Sequence, residues 1–255
     1  MTAERKSGKG SRLDEVLVRR GFFASRSRAR DAVERATVRV AGAVVSKPGA
    51  TVAEDAAIEV DDPASAYVSR AALKLVAGLD YFGLDPAGRI ALDIGASTGG
   101  FTQVLLERGA QKVFAVDVGH GQIDPGLRAD PRVIVREGLN ARALGAADLD
   151  GQAPDFLVSD VSFISLRLAL PPALALAAPG AEAVFLVKPQ FEAGRQAIGK
   201  GGILKNPEDG ARVAEDIASW LDAMSGWRSL GLHASPIEGG DGNREFLLGA
   251  IKDSP

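Results

Sequence analysis

The stretch from Ile90 to Thr102, IALDIGASTGGFT, constrains this chain more than any other. A short apolar run ends in Asp93, and Gly95, Gly99 and Gly100 follow. The next segment, FTQVLLERG, has helical spacing and stops at Gly109. Strand, glycine-rich turn and helix is the arrangement by which an α/β sheet brings backbone N–H groups close to a ligand. A second apolar run, KVFAVDVG, ends in Asp117, 22 residues beyond Gly95. An acid about 20 residues past the glycines is placed to accept hydrogen bonds from a ribose. Loop and acid together predict a nucleoside cofactor.

From Arg89 onward, runs of strand length alternate with helical patterns, which implies a parallel sheet with helices on both faces. Strands are expected at 90–94, 112–117, 132–136, 155–160, 182–187, 228–234 and 245–251. Helices are expected at 99–108, 166–178 and 207–224, with a short one near 122–129. Ahead of them, Tyr67 to Gly83 reads as one helix that carries Lys74, which taken alone is a solvated lysine. The segment Phe191 to Asn206 is glycine-rich and aperiodic, as substrate loops and lids often are.

Ligands bind at the carboxyl ends of the strands in such a sheet. Asp160 ends DFLVSD there, and Lys188 follows AVFLV. Glu245 begins the last strand, EFLLGAIK. If that strand runs antiparallel to the rest, Asp160, Lys188 and Glu245 converge beside the glycine loop.

The net charge of −3 hides an asymmetry. Residues 1–48 carry a surplus of seven positive charges, and the remainder a deficit of ten. A basic end on an acidic body suits a module that meets a polyanion, although an ordinary solvated face has the same signature. Residues 1–10 read as a disordered tail. SRLDEVLVRRG and SRSRARDAVERA read as two helices, the second capped by Ser25 and presenting Arg26, Arg28, Arg30 and Arg35. TVRVAGAVV and ATVAEDAAIEV read as strands, with turns at Ala41-Gly42 and Lys47-Pro48-Gly49.

Zero Cys excludes a disulfide framework, thiolate metal sites and a Cys nucleophile, and fits a reducing cytoplasm. Two His without clustered ligand spacing argue against a zinc or iron site. The longest apolar stretch, Leu168 to Val187, contains Pro171, Pro172, Pro179 and Glu182, so it reads as a helix end, a turn and a buried strand rather than a membrane span. No feature specifies an oligomeric state.

The two basic helices and small strands resemble the S4-type RNA-binding domain, which implies phosphate contacts from Arg26, Arg28, Arg30 and Arg35. IALDIGASTGGFT with Asp117 resembles the first two motifs of class I S-adenosylmethionine-dependent methyltransferases, a Rossmann-like α/β fold of seven mostly parallel strands with an antiparallel last strand. SRAALKL, VSDVSFISL, LVKPQFE and GNREFL resemble the Lys-Asp-Lys-Glu set of ribose 2′-O-methyltransferases. An S4-type domain joined to this catalytic domain is similar to the TlyA-type (hemolysin A) rRNA methyltransferase family, along nearly the whole of residues 11–252.

The resemblance implies a tail at 1–10, an RNA-binding domain at 11–62, a linker at 63–66 and a catalytic domain at 67–255. It implies catalytic roles for Lys74, Asp160, Lys188 and Glu245. It implies S-adenosylmethionine contacts from Asp93, Gly95, Ser97, Gly99, Gly100, Phe101, Asp117 and Asn140, and no metal. It implies that the substrate is a cytidine 2′-hydroxyl in 16S or 23S rRNA, on ribosomal subunits in the cytoplasm. Lys188 either accepts the hydroxyl proton or positions the oxygen, and both roles stay open on the sequence.

Two other readings compete. Gly95-Ala96-Ser97-Thr98-Gly99 matches the G-x-S-x-G nucleophile elbow, and Asp160 and His233 follow in hydrolase order. The other is an rRNA-binding protein that keeps the fold without catalysis.

Overall fold

The computed structural model describes residues 10–240 and 242–253, so the tail expected at 1–10 lies almost wholly outside the described residues. The chain forms two compact units, one up to Ala66 and one from Tyr67.

In the first unit, β1 (Ser11–Arg12) leads into α1 (Leu13–Arg19), and α2 (Arg26–Glu34) follows. Leu13, Val16 and Leu17 repeat at helical spacing and are buried with Ala29, Ala32 and Val33 of α2. Ser25 caps α2, its hydroxyl accepting from the N–H of Arg28. Then come β2 (Val38–Val40), β3 (Ala43–Val44), β4 (Thr51–Val52) and β5 (Ile58–Val60). β2 pairs antiparallel with β3 and β5, and β4 pairs with β1. The Ala41-Gly42 turn has positive φ at both residues, as a two-residue hairpin with the native twist requires. The second expected strand is split in two by a turn in which Ala56 N donates to Ala53 O. Pro63–Ala66 is a turn of 3-10 helix.

The second unit runs α3 (Ala72–Phe82), β6 (Ile90–Ile94), α4 (Gly100–Glu107), β7 (Lys112–Asp117), α5 (Pro125–Ala129) and β8 (Val133–Glu137). It continues through β9 (Phe156–Ser159), α6 (Leu166–Ala169), α7 (Pro171–Leu176), β10 (Glu182–Val187), α8 (Pro189–Glu192), α9 (Asp209–Asp222), β11 (Trp227–Ala234) and β12 (Phe246–Lys252). The seven strands form one sheet in the order β11-β12-β10-β9-β6-β7-β8. β12 is antiparallel to both its neighbours, and the other pairings are parallel. The expected α/β sheet with a reversed last strand is therefore the one that forms.

Both faces of the sheet are covered, which is why its central strands are continuous apolar runs. Leu92, Ile94, Phe114, Leu157 and Phe185 pack on one face with Leu166, Leu174, Ile217 and Leu221. Ala91, Val113, Phe156, Val158 and Val184 pack on the other with Leu75, Leu79, Phe101 and Val104.

Three expectations change. The helix expected from Tyr67 starts at Ala72, after a turn in which Ser69 Oγ accepts from Ala71 N. The helix expected over 166–178 breaks into α6 and α7, because Pro171 and Pro172 lack the N–H groups that would continue it. The aperiodic segment 191–206 holds two turns of 3-10 helix, Arg195–Ala197 and Lys200–Gly202, closed by an Ile198–Leu204 bridge. Among the described residues no helix is long and apolar enough to cross a membrane.

Candidate active site

Sheet register sets the site. Ser159 pairs with Phe185 and Val187 pairs with Phe246, so Asp160, Lys188 and Glu245 leave three adjacent strands at one rim. α3 lies on the sheet face beside them and supplies Lys74. Lys74 Nζ donates to Glu245 Oε2 at 2.5 Å, with both side chains buried. Lys188 Nζ lies 2.6 Å from Asp160 Oδ1 and donates to Ser162 Oγ at 2.7 Å. The solvated reading of Lys74 fails, since the residue is 5% exposed. A buried cation keeps its charge at tolerable cost when a carboxylate faces it, and here two such pairs stand side by side.

The glycine turn adjoins this rim. Gly95 has φ +85, and a Cβ there would come within 3.1 Å of the backbone of Val161, the residue after Asp160. Gly99 has φ +98, and its Cβ would strike Leu127 at 2.4 Å. Gly100 lies against Ser69 and the start of α3. Only glycine satisfies the backbone conformation and the close approach at Gly95 and Gly99.

Asp93 is fully buried. Its Oδ2 accepts from Thr102 Oγ1 at 2.6 Å, and its Oδ1 has no partner among the described residues. Burial pushes its carboxyl up to about 7, the Thr102 hydrogen bond opposes this, and the Asp160 and Asp117 charges add to it. The orphan oxygen suits a hydrogen-bond donor such as an amino group. Asp117 accepts from Ser97 N at 2.8 Å and Gly119 N at 2.7 Å. It can also accept from vicinal hydroxyls, as the sequence reading expects. Asn140 accepts from Arg142 N and so caps a 3-10 turn, while the adjoining Leu139 N donates to Asp117 O. The ring of Phe101 is buried in the core beside α3, so any cofactor contact there falls to its backbone.

The FtsJ-like methyltransferase family matches residues 67–252, and the S4 domain family matches residues 11–58. The chain belongs to the FtsJ-like methyltransferases. A relative from Mycobacterium tuberculosis, named 16S/23S rRNA (cytidine-2′-O)-methyltransferase TlyA, is 45% identical over 93% of this chain and 88% of its own. The protein named Hemolysin A from Brachyspira hyodysenteriae is 39% identical over 92% of this chain and 98% of its own. A solved structure from Streptococcus thermophilus superposes on 97% of this chain and 90% of its own, with TM-score 0.74 and 40% identity.

In this FtsJ-like methyltransferase the hydrolase arrangement does not form. Ser97 Oγ contacts Gln122 Oε1 at 3.3 Å, His233 stacks on Tyr81 at 3.8 Å, and Asp160 is paired with Lys188. Three strands separate β11, which carries His233, from β6, which precedes Ser97. Among the described residues no group of three metal-ligating side chains gathers.

The four arginines of the first unit differ. Arg35 is 15% exposed in its side chain and bonds Asp62 at 2.6 and 2.9 Å and Asp31 at 3.0 Å, so it is an internal clamp rather than a phosphate contact. Arg26 faces Asp14 and Glu15, and Arg28 donates to Ala64 O. Arg30 is exposed, with no ion pair among the described residues.

Sequence reasoning missed Thr102, Ser162 and Phe163. Thr102 lies at the end of the glycine stretch, and its hydroxyl is the one that reaches Asp93. Ser162 and Phe163 follow Asp160 in the polar-aromatic run VSFIS, which breaks the strand pattern and so carries a signal. Phe163 is 90% exposed with φ +65, its ring 5.1 Å from that of Phe191.

Proposed function

We propose that the chain methylates a ribose 2′-hydroxyl of rRNA, a cytidine of 16S or 23S rRNA, using S-adenosylmethionine. The single observation that carries this reading is the gathering of Lys74, Asp160, Lys188 and Glu245 at the rim beside Gly95. The names of the close relatives support the rRNA and the cytidine. Asp93, Gly95, Ser97, Gly99, Gly100 and Asp117 would hold the methyl donor, with the Asp93 Oδ1 atom and the Asp117 carboxylate as acceptors.

Bound S-adenosylmethionine supplies an electrophilic methyl group on a sulfonium, whose neutral thioether leaves without help from a metal. The protein aligns the hydroxyl and removes its proton. Lys188 faces Asp160 in an ion pair and donates to Ser162, which would hold its Nζ toward the substrate oxygen. Lys188 would accept the hydroxyl proton as a neutral amine and release it to solvent after transfer, or as an ammonium would only orient the oxygen. Lys74 and Glu245 pair at this rim and fix one another.

Residues 11–62 would grip RNA through exposed cations such as Arg30, and residues 67–255 would carry catalysis. The substrate is then a ribosomal subunit in the cytoplasm. Transfer of labelled methyl groups to purified 30S and 50S subunits, with the position mapped by primer extension, tests the reading. Lys188→Met should abolish transfer and leave cofactor binding near normal. Salt-dependent rRNA binding without any transfer by the wild type would replace this reading with that of a non-catalytic binder.

A further inference from the structure

The mechanism leaves the half-buried carboxylate of Glu192 unused. Glu192 ends α8, four residues after Lys188. Its Oε2 accepts from the Ser165 hydroxyl at 2.5 Å, and its Oε1 accepts from Leu166 N at 2.8 Å. Ser165 caps α6 and Leu166 begins it. Burial pushes the Glu192 carboxyl above its ordinary range, although Ser165, Leu166 and Arg167 all act against that. The carboxylate is thus kept out of water in order to make these two bonds.

The segment from Asp160 to Ser165 joins β9 to α6 and lies along the segment from Lys188 to Glu192. The contacts follow in order. Asp160 meets Lys188 at 2.6 Å, and Ser162 accepts from Lys188 at 2.7 Å. The Phe163 and Phe191 rings lie 5.1 Å apart, and Ser165 and Leu166 meet Glu192. At its near end the segment is tied to the sheet, where Asp160 N donates to Ile94 O. At its far end Glu192 is the anchor. Between the two anchors Phe163 holds φ +65, a conformation that a bulky residue keeps only when its surroundings over-determine it.

We propose that Glu192 is a positioning residue for methyl transfer, holding the Asp160–Ser165 segment so that Asp160 and Ser162 keep their distances to Lys188. This rests on the ribose-methylating reading given above. A carboxylate suits the task because it accepts two hydrogen bonds at once and reaches both donors. Glutamine keeps the length and one acceptor oxygen, so Glu192→Gln is the conservative rescue. A misplacement of about 1 Å costs on the order of 100-fold in rate.

The test measures kcat and KM for methyl transfer to ribosomal subunits by the full chain, with the cofactor Kd measured separately. Glu192→Ala should lower kcat by about 100-fold with the cofactor Kd unchanged. Glu192→Gln should recover most of that loss. Because Glu192 acts through Ser162, Glu192→Ala with Ser162→Ala should be no worse than Glu192→Ala alone, a non-additivity expected of coupled sites. Ser165→Ala removes one of the two contacts and should lower kcat in the same direction, which serves if Glu192→Ala does not fold. Undiminished kcat in Glu192→Ala, a strictly additive double variant, or a fall in kcat matched by equal loss of cofactor affinity overturns the proposal. A wild type that methylates no ribose overturns the parent reading and this one with it. An active wild type with an equally active Glu192→Ala overturns this one alone.

Discussion

Lys74 Nζ and Glu245 Oε2 lie 2.5 Å apart, although 171 residues separate them along the chain. Both side chains are almost fully buried. Removing one member therefore strands the other as an uncompensated buried charge, at a cost of about 3–5 kcal/mol. Glu245→Gln and Lys74→Met should each lower the melting temperature and abolish methyl transfer. Lys74→Met combined with Glu245→Gln should regain much of the stability, because neither charge remains, and none of the activity. Thermal melts on the single and double variants check this. A double variant as unstable as the sum of the singles would show that the pair is not coupled.

Asp93 makes stability depend on pH. Its carboxyl is pushed up by burial to about 7, against 3.8 in the unfolded chain. The folded protein thus holds the proton more tightly, and stability falls as pH rises from about 4 to about 7, then levels off. The full penalty is on the order of 4 kcal/mol. Asp93→Asn removes it, so its melting temperature relative to wild type should be higher at pH 8 than at pH 5, while cofactor affinity falls. Differential scanning calorimetry at the two pH values decides the matter. An equal shift at both means that Asp93 does not titrate in that window.

How much of this was readable in the residues depends on what each signal measures. The strands of the sheet were legible within a residue or two, because burial on both faces leaves continuous apolar runs. The antiparallel last strand made Glu245 meet the rim, and alternation of strand and helix alone left its direction open, so that direction came from the family resemblance. Lys74 was not legible by spacing, since a helix of mixed character gives no sign of which lysine faces a carboxylate far along the chain. Arg35 misled for the same reason. A basic helix shows charge, and of the partners that neutralise Arg35, Asp31 stands one turn back on the same helix while Asp62 appears only when the helix and the strand end are packed together. Ser162 sits in a loop and Glu192 ends the single-turn helix α8, and in both places hydrogen-bond partners follow tertiary contact and leave no periodicity.

In the first unit Arg35 is held by carboxylates, whereas Arg30 is exposed and is the arginine proposed to meet RNA. Arg35→Met leaves Asp62 buried without its partner and should lower stability by roughly 3 kcal/mol. Arg30→Ala breaks no ion pair and should leave the melting temperature unchanged. It should instead weaken binding to an rRNA fragment and reduce the salt slope by about 1. Titrations at several salt concentrations, run beside thermal melts, distinguish the two. Loss of RNA affinity in a folded Arg35→Met, with none in Arg30→Ala, reverses the assignment.

Phe163 is 90% exposed, and a large apolar ring gains nothing from facing water. Its φ of +65 adds strain of about 1–3 kcal/mol, so both its exposure and its backbone are unfavourable to the protein alone. Such a residue is retained for what it meets. It follows Ser162, which contacts Lys188, and its ring lies 5.1 Å from that of Phe191, so it is an exposed aromatic surface near the rim of the kind on which a base stacks. Stacking of this kind contributes about 1–3 kcal/mol per base. Phe163→Ala should therefore raise KM for the RNA substrate by about tenfold, with the cofactor Kd unchanged. Phe163→Gly, which adopts positive φ without strain, should show the same rise in KM and a melting temperature above that of wild type. Steady-state kinetics on ribosomal subunits together with thermal melts test both, and an unchanged KM in the two variants would leave the exposed ring without a function.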